Sequence, residues 1–221
     1  WSAVNSGLTA TDAHAALFDP TSDDNFWVGT VEGVFARAEP AITWSEANSG
    51  LDNADARDLW IDPNDSSNLY AATAAGVFVS ADGGATWSPS NTGLTSLDAK
   101  ALVADAGATP VPDALYVGTG FDGVFKSTDG GAAWSGASTG LTNSDVRDLA
   151  LDPATPSTLD AATGGGVFKS TNSAGSWSAM SSGLTSTDVR AIAVDPTTPA
   201  TLFAATAGGV FKSTNGGTSW S

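Results

Sequence analysis

The sequence reads as an all-β chain built from five near-copies of one unit. Trp1, Trp44, Trp87, Trp134, Trp177 and Trp220 recur at intervals of 43, 43, 47, 43 and 43 residues. A repeat of that length, made of short β-forming runs and Gly-bounded turns, matches one four-stranded propeller blade. No apolar stretch keeps a 3.6-residue period, so helices are not expected. The expected architecture is a five-bladed β-propeller of four-stranded antiparallel blades. It forms a single domain over residues 1–221, in units 1–43, 44–86, 87–133, 134–176 and 177–221.

The last unit shows why each strand forms. Residues 188–195, Asp-Val-Arg-Ala-Ile-Ala-Val-Asp, are a β-branched run stopped by Asp195-Pro196, since Pro cannot continue a ladder. Thr201 to Thr206 form a second short strand, closed by Gly208-Gly209, and Val210 to Ser213 a third. Thr214-Asn-Gly-Gly217 then makes a tight hairpin into a fourth strand at Trp220. The first strand carries small or apolar side chains on both alternating sets: Val189, Ala191 and Ala193 on one, Ile192 and Val194 on the other. Burial on both faces fits a sheet held between two neighbouring blades. At the chain ends, Trp1 to Leu8 reads as a fourth strand lacking its first three, while Trp220-Ser221 only begins one. The expectation is that the N-terminal strand completes the last blade and closes the ring. The alternative is a fragment of a larger ring.

Composition narrows the function classes. Eight basic residues against 24 acidic ones give a net charge of −16. Such a chain has little with which to neutralise a run of phosphates, so neither nucleic acid nor an anionic membrane is expected as partner. No run of 18 apolar residues occurs, so no membrane insertion is expected. With no Cys and one His, disulfides and thiolate metal sites are excluded, and neither metal nor cofactor is expected. The Ala/Gly/Ser/Thr/Asp-rich, Lys-poor composition suits a secreted or cell-surface bacterial protein.

One motif recurs before the tryptophans. Ser80-Ala-Asp-Gly-Gly-Ala-Thr-Trp87 is a complete S-x-D-x-G-x-T-W sequence, and Ser127 to Trp134 keeps its Asp129-Gly130-Gly131 centre. The copies ending at Trp177 and Trp220 carry Asn172 and Asn215, and the copy ending at Trp44 keeps only Thr-Trp. With the recurring Asp-Pro, Ala-Ala-Thr and Gly-Val-Phe segments, the chain resembles the Asp-box (BNR-repeat) propellers. That superfamily includes sialidases, xyloglucan hydrolases, sortilin-type receptors and photosystem II assembly factors. The resemblance implies a fold more than an activity. It also implies structural roles for Asp82, Asp129, Asn172 and Asn215, and for Trp87, Trp134, Trp177 and Trp220. The acid accepts backbone N–H groups of its own hairpin, glycines supply positive φ, and the indole anchors the loop.

A second pattern sits where each first strand begins. Asp12/His14, Asp55/Arg57, Asp98/Lys100, Asp145/Arg147 and Asp188/Arg190 hold five of the nine basic or His residues. Residues two apart on a strand share a side. Because the first strand is innermost in a propeller, the pairs are expected around one mouth of the axial channel. His14, Arg57, Lys100, Arg147 and Arg190 are therefore the candidate ligand-binding ring, able to receive a carboxylate or an acidic sugar. The competing reading is a set of blade-to-blade salt bridges worth about 0–1 kcal/mol each. Asp19, Asp62, Asp105, Asp152 and Asp195 form a second acidic set at the strands' other ends. They are either a ring or simple turn starters.

No catalytic residue is assigned. Tyr70 and Tyr116 lie in apolar second strands, and Glu32, Glu39 and Glu46 crowd near turns. The expected function is thus a non-enzymatic binding or structural module recognising a protein or carbohydrate at its axial face. The alternatives are a carbohydrate-active enzyme of glycosidase or sialidase type, and a multivalent lectin using repeated inter-blade pockets. The four-residue-longer third unit, with Asp113 and Asp122 in its loops, could equally be a recognition loop or a neutral insertion.

Overall fold

The computed structural model describes residues 4–22, 24–38, 40, 41, 43–52, 55–107 and 112–221. These form five antiparallel sheets in chain order, each an up-and-down meander. The first holds β1 (Ala13–Phe18), β2 (Asn25–Thr30), β3 (Gly33–Ala38) and β4 (Ser45–Glu46). The second holds β5 (Ala56–Asp62), β6 (Asp65–Thr73), β7 (Gly76–Ser80) and β8 (Ser88–Pro89). The third follows with β9 (Ala99–Asp105), β10 (Ala114–Thr119), β11 (Gly123–Ser127) and β12 (Ser135–Gly136). The fourth comprises β13 (Val146–Leu151), β14 (Leu159–Thr163), β15 (Gly166–Ser170) and β16 (Ser178–Ala179). The fifth has β17 (Val189–Val194), β18 (Leu202–Thr206) and β19 (Gly209–Ser213). Ser221 exchanges both backbone hydrogen bonds with Lys212, so a fourth strand of that sheet has just begun.

Local chemistry explains the hairpins. Between the second and third strands, a threonine hydroxyl bridges the turn: Thr73 Oγ1 donates to the Gly76 carbonyl at 2.9 Å, and Thr163 to Gly166 at 2.8 Å. This is what the Ala-Ala-Thr and Gly-Val-Phe segments encode. In the tryptophan hairpin, Asp82 Oδ1 accepts the Thr86 N–H at 2.8 Å and the Ser80 hydroxyl at 2.8 Å. Asp129, Asn172 and Asn215 accept the equivalent N–H groups of Ala133, Ser176 and Ser219. The side chain in each hairpin thus replaces the missing ladder partners of the turn, as expected from the motif.

The tryptophans do more than anchor their own loops. Trp87 Nε1 donates to the Ala47 carbonyl, Trp134 to Ser90, Trp177 to Ala137 and Trp220 to Met180, all in the preceding sheet at 2.7–2.9 Å. Each indole therefore staples one blade to the one before it. The staple requires glycine at one position. At Gly140, with φ +85°, a Cβ would stand 2.3 Å from the Trp177 carbonyl oxygen.

The core is divided into four apolar clusters, one at each junction between consecutive sheets. At the second junction, for example, Tyr70, Ala72 and Val77 of one sheet meet Leu102, Leu115, Phe125 and Trp134 of the next. Apolar side chains on both faces of a sheet are buried because a neighbour lies on each side, which confirms the sequence reading for the three inner sheets.

The expected ring closure rests on the N-terminal segment. Trp1, Ser2 and Ala3 lie outside the described residues, but Val4 to Leu8 are seated on the first sheet. The Val4 carbonyl accepts Trp44 Nε1 at 2.8 Å and the Ser6 carbonyl accepts the Trp44 N–H at 2.8 Å. This segment plays for Trp44 the part that Ala47 and Ser49 play for Trp87. The first and fifth sheets leave their outward faces in water. Val210 is 73% and Phe203 41% exposed, while Val34, Val77, Val124 and Val167, the counterparts of Val210, are fully buried. Phe18 is 67% exposed, whereas its counterpart Ile61 is 7% exposed. Among the described residues, no sheet covers the outward face of the first or of the fifth sheet.

Candidate functional site

The five first strands converge on one end of the array. His14, Val31, Asp55, Arg57, Lys100, Arg147 and Arg190 line a cavity of about 570 Å³ there. Every residue of the candidate ring is brought to this mouth, as the two-residue spacing implied.

What the spacing did not reveal is how the charges join across sheets. Arg57 Nε lies 2.9 Å from Asp55 of its own strand, and its Nη1 bonds Asp98 of the next sheet. Lys100 Nζ is 3.9 Å from Asp98 and 2.8 Å from Asp145 of the following sheet. Arg147 Nε is 2.8 Å from Asp145, and its Nη1 bonds Asp188. His14 Nε2 lies 3.8 Å from Asp55. The result is a ladder of alternating bases and acids in which Arg57, Lys100 and Arg147 each bridge the acid of their own blade and that of the next. Burial opposes ionisation of Asp145, yet hydrogen bonds from Lys100 and Arg147 hold it below the usual carboxylate range. Among the described residues Arg190 faces only Asp188, at 3.8 Å, and is 68% exposed. The cations are therefore largely neutralised by their own scaffold, in line with the salt-bridge reading.

The second acidic set serves as turn starters. Asp62 Oδ1 accepts the Asn64 N–H at 2.8 Å, Asp152 Oδ1 the Ala154 N–H at 2.9 Å, and Asp195 Oδ1 the Thr197 N–H at 2.9 Å. Asp19 and Asp105 cap their turns through Thr21 and Gly107 in the same way. Asp122 accepts the Thr95 hydroxyl at 2.6 Å. Among the described residues, no group of three or more His, Asp or Glu is placed to hold a metal ion.

Three acids escaped the sequence reading. Asp58 and Asp148 follow the ladder bases on β5 and β13, and each accepts its own strand's next N–H at 2.9 Å. Their other oxygens accept N–H groups of the neighbouring first strand, Leu102 at 2.7 Å and Ile192 at 2.8 Å. Burial pushes Asp58 up to about 7 despite those two donors, and the Asp148 charge adds to the effect. Burial likewise raises Asp148 to about 6. Asp160 sits on β14 where Trp27, Tyr70, Tyr116 and Phe203 stand on the other sheets. Burial raises it to about 6 even with Lys169 Nζ at 2.7 Å, and its Oδ1 is left without a hydrogen-bond partner. The signal was available in the repeat: a carboxylate at positions where siblings carry Ala15, Ala101 and Ala191, or an aromatic ring.

The inter-blade grooves are not equivalent. A cavity of about 410 Å³ opens between the first two sheets, lined by Ala36, Glu46, Asn48 and the Gly83–Ala85 turn. At the next junction Ser90, the counterpart of Ala47, donates its Oγ to the Gly131 carbonyl.

These features define the class as an all-β propeller array with a charged axial mouth. No family model matches the sequence, and no curated protein matches it. Solved structures do share the fold. A GH74 enzyme of Niastella koreensis is 21% identical over 95% of this chain and 38% of its own, with a TM-score of 0.77. A GH74 xyloglucanase from Xanthomonas campestris is 18% identical over 100% of this chain and 46% of its own, with a TM-score of 0.61. The extracellular domain of a putative hybrid two-component system from B. thetaiotaomicron is 16% identical over 92% of this chain and 27% of its own, with a TM-score of 0.73. The chain spans less than half the length of each of these proteins.

Proposed function

We propose that the chain is a non-enzymatic binding propeller of the Asp-box kind, working outside the cell, whose axial mouth takes a hydroxyl-rich glycan. The carrying observation is the alternating ladder around a cavity of about 570 Å³. Because each inner base already faces an acid, a bare anion gains little net attraction there. A sugar ring, with hydroxyls that both donate and accept, matches alternating guanidinium and carboxylate groups without needing net charge. The GH74 neighbours, one of them named a xyloglucanase, support a glycan over a protein ligand. The extracellular sensor domain supports the location.

The non-enzymatic reading rests on how the carboxylates are used. Asp55, Asp98, Asp145 and Asp188 are ion-paired, while Asp58 and Asp148 hold backbone N–H groups of the adjacent strand. A glycosidase needs a carboxylic acid and a second carboxylate both free to face the scissile bond. Calorimetric titration with neutral β-glucan and xyloglucan oligosaccharides, beside uronate-containing ones, tests the proposal. Binding near one site per chain, lost in an Arg57→Ala/Arg147→Ala/Arg190→Ala variant, is the expected result. Unchanged affinity in that variant discards the mouth as the site. Turnover of a chromogenic glycoside by the wild type discards the non-enzymatic reading.

A further inference from the structure

Among the described residues, the large apolar side chains left in water fall in two places. Val4, Phe18, Phe203 and Val210 belong to the outward faces of the first and fifth sheets. The others, Val31, Leu97 and Phe121, all stand on loops at the mouth end, 42%, 46% and 71% exposed. Apolar residues scattered singly over a surface need no explanation, but three gathered at a charged mouth do. Val31 itself lines the cavity, at a hairpin position held by Ala74, Gly120, Gly164 and Ala207 in the other blades.

Phe121 is the most exposed of the three, and its loop is fixed. The other blades place two residues between the Thr and Gly of this hairpin, as in Thr73-Ala-Ala-Gly76. The third blade places three, Gly120, Phe121 and Asp122. Thr119 Oγ1 still donates to the Gly123 carbonyl at 3.0 Å and accepts the Asp122 N–H at 3.1 Å. Asp122 Oδ2 accepts the Thr95 hydroxyl at 2.6 Å, and the Gly120 N–H donates to the Asp98 carbonyl at 2.9 Å. A Cβ at Gly120 would collide with the Asp98 carboxylate and stand 2.8 Å from Lys100 Cε. An aromatic ring is thus held in water one residue from the Asp98–Lys100 rung, with Leu97 on the loop that leads into the same first strand.

Resting on the glycan reading above, we propose that Phe121 is the stacking platform of the mouth, taking the C–H face of a β-gluco- or β-xylo-configured pyranose. An aromatic face carries partial negative charge, which attracts the weakly positive C–H hydrogens of a sugar. With every hydroxyl equatorial, such a ring turns only axial hydrogens toward the platform. Its edge hydroxyls remain free to meet the alternating acids and bases of the ladder.

Calorimetric titration of the intact chain with a cello-oligosaccharide and a xyloglucan oligosaccharide tests this, comparing Phe121→Ala, Phe121→Trp and Phe203→Ala. All three change side chains already in contact with water, so each keeps the wild-type circular dichroism. Phe121→Ala is expected to bind about tenfold more weakly, and Phe121→Trp at least as tightly as the wild type. Phe203→Ala removes an exposed ring on the outward face of the fifth sheet and leaves the affinity unchanged. Wild-type affinity in Phe121→Ala, while the triple arginine variant loses binding, overturns the platform and leaves the mouth as the site. Equal loss in Phe121→Ala and Phe121→Trp overturns it too, since a larger aromatic face would then give no gain. A wild type that binds neither oligosaccharide overturns the platform together with the glycan reading.

Discussion

Lys100 Nζ sits 2.8 Å from Asp145 Oδ1, 45 residues away in sequence and one blade further along the array. The same base-to-next-acid step joins Arg57 to Asp98 and Arg147 to Asp188. The ladder is therefore a register device as well as a charged surface. It links the innermost strands at a point where their apolar clusters give way to the open mouth.

An inner rung contributes more to stability than the terminal one. Arg147→Ala leaves Asp145 and Asp188 short of a partner and is expected to cost about 1–2 kcal/mol in urea unfolding. Arg190→Ala, removing an exposed group with a single distant partner, is expected to change stability by less than about 0.5 kcal/mol.

Stability is expected to fall as pH rises from about 4 to about 7. Asp58, near 7, and Asp148 and Asp160, near 6, hold their protons more tightly in the fold than in the unfolded chain. Their stabilisation is present below the ordinary carboxylate range and is lost as pH climbs through these values. Asp82, Asp129, Asp145 and Asp195 are shifted down, so their contribution is lost on the acid side instead. The melting temperature should peak between the two ranges. An Asp58→Asn/Asp148→Asn variant should flatten its decline toward neutral pH.

Ser173 and Ala174 occupy the positive-φ pair that is glycine in the hairpins at 83–84, 130–131 and 216–217. Ser173, at φ 56°, gives the cleaner test, because Ala174 is buried in an apolar cluster. Ser173→Gly should stabilise the fourth blade by about 0.5–1 kcal/mol, since the left-handed strain removed exceeds the added chain entropy. Thermal unfolding that shows no gain would argue that the turn carries little strain.

Gly140→Ala is expected to cost more than about 2 kcal/mol, through backbone strain and collision with the Trp177 carbonyl. Trp177→Phe retains most of the packing but strips the Ala137 carbonyl of its donor, for about 1–3 kcal/mol. Chemical denaturation of both variants separates the close approach from the hydrogen bond.

Much of the blade was readable in advance. The 43-residue period gave the sheets, Asp-Pro and Gly-Gly gave their turns, and the Asp-x-base spacing brought five side chains to one mouth. The acids at 58, 148 and 160 were missed because apolar periodicity has no place for a carboxylate satisfied by a neighbouring strand. The expected docking of the N-terminal strand on the last blade falls on Trp1, Ser2 and Ala3, which lie outside the described residues. Val4 and Ser6 lie against Trp44, because every segment of this type reaches forward to the next tryptophan.

The order of residues determines the repeat unit, since strand, hairpin and cap depend on neighbours within a few positions. Whether a row of bases stays free for a ligand depends on groups 41 to 45 residues apart. Only the packing of one sheet on the next brought each inner base against the following acid.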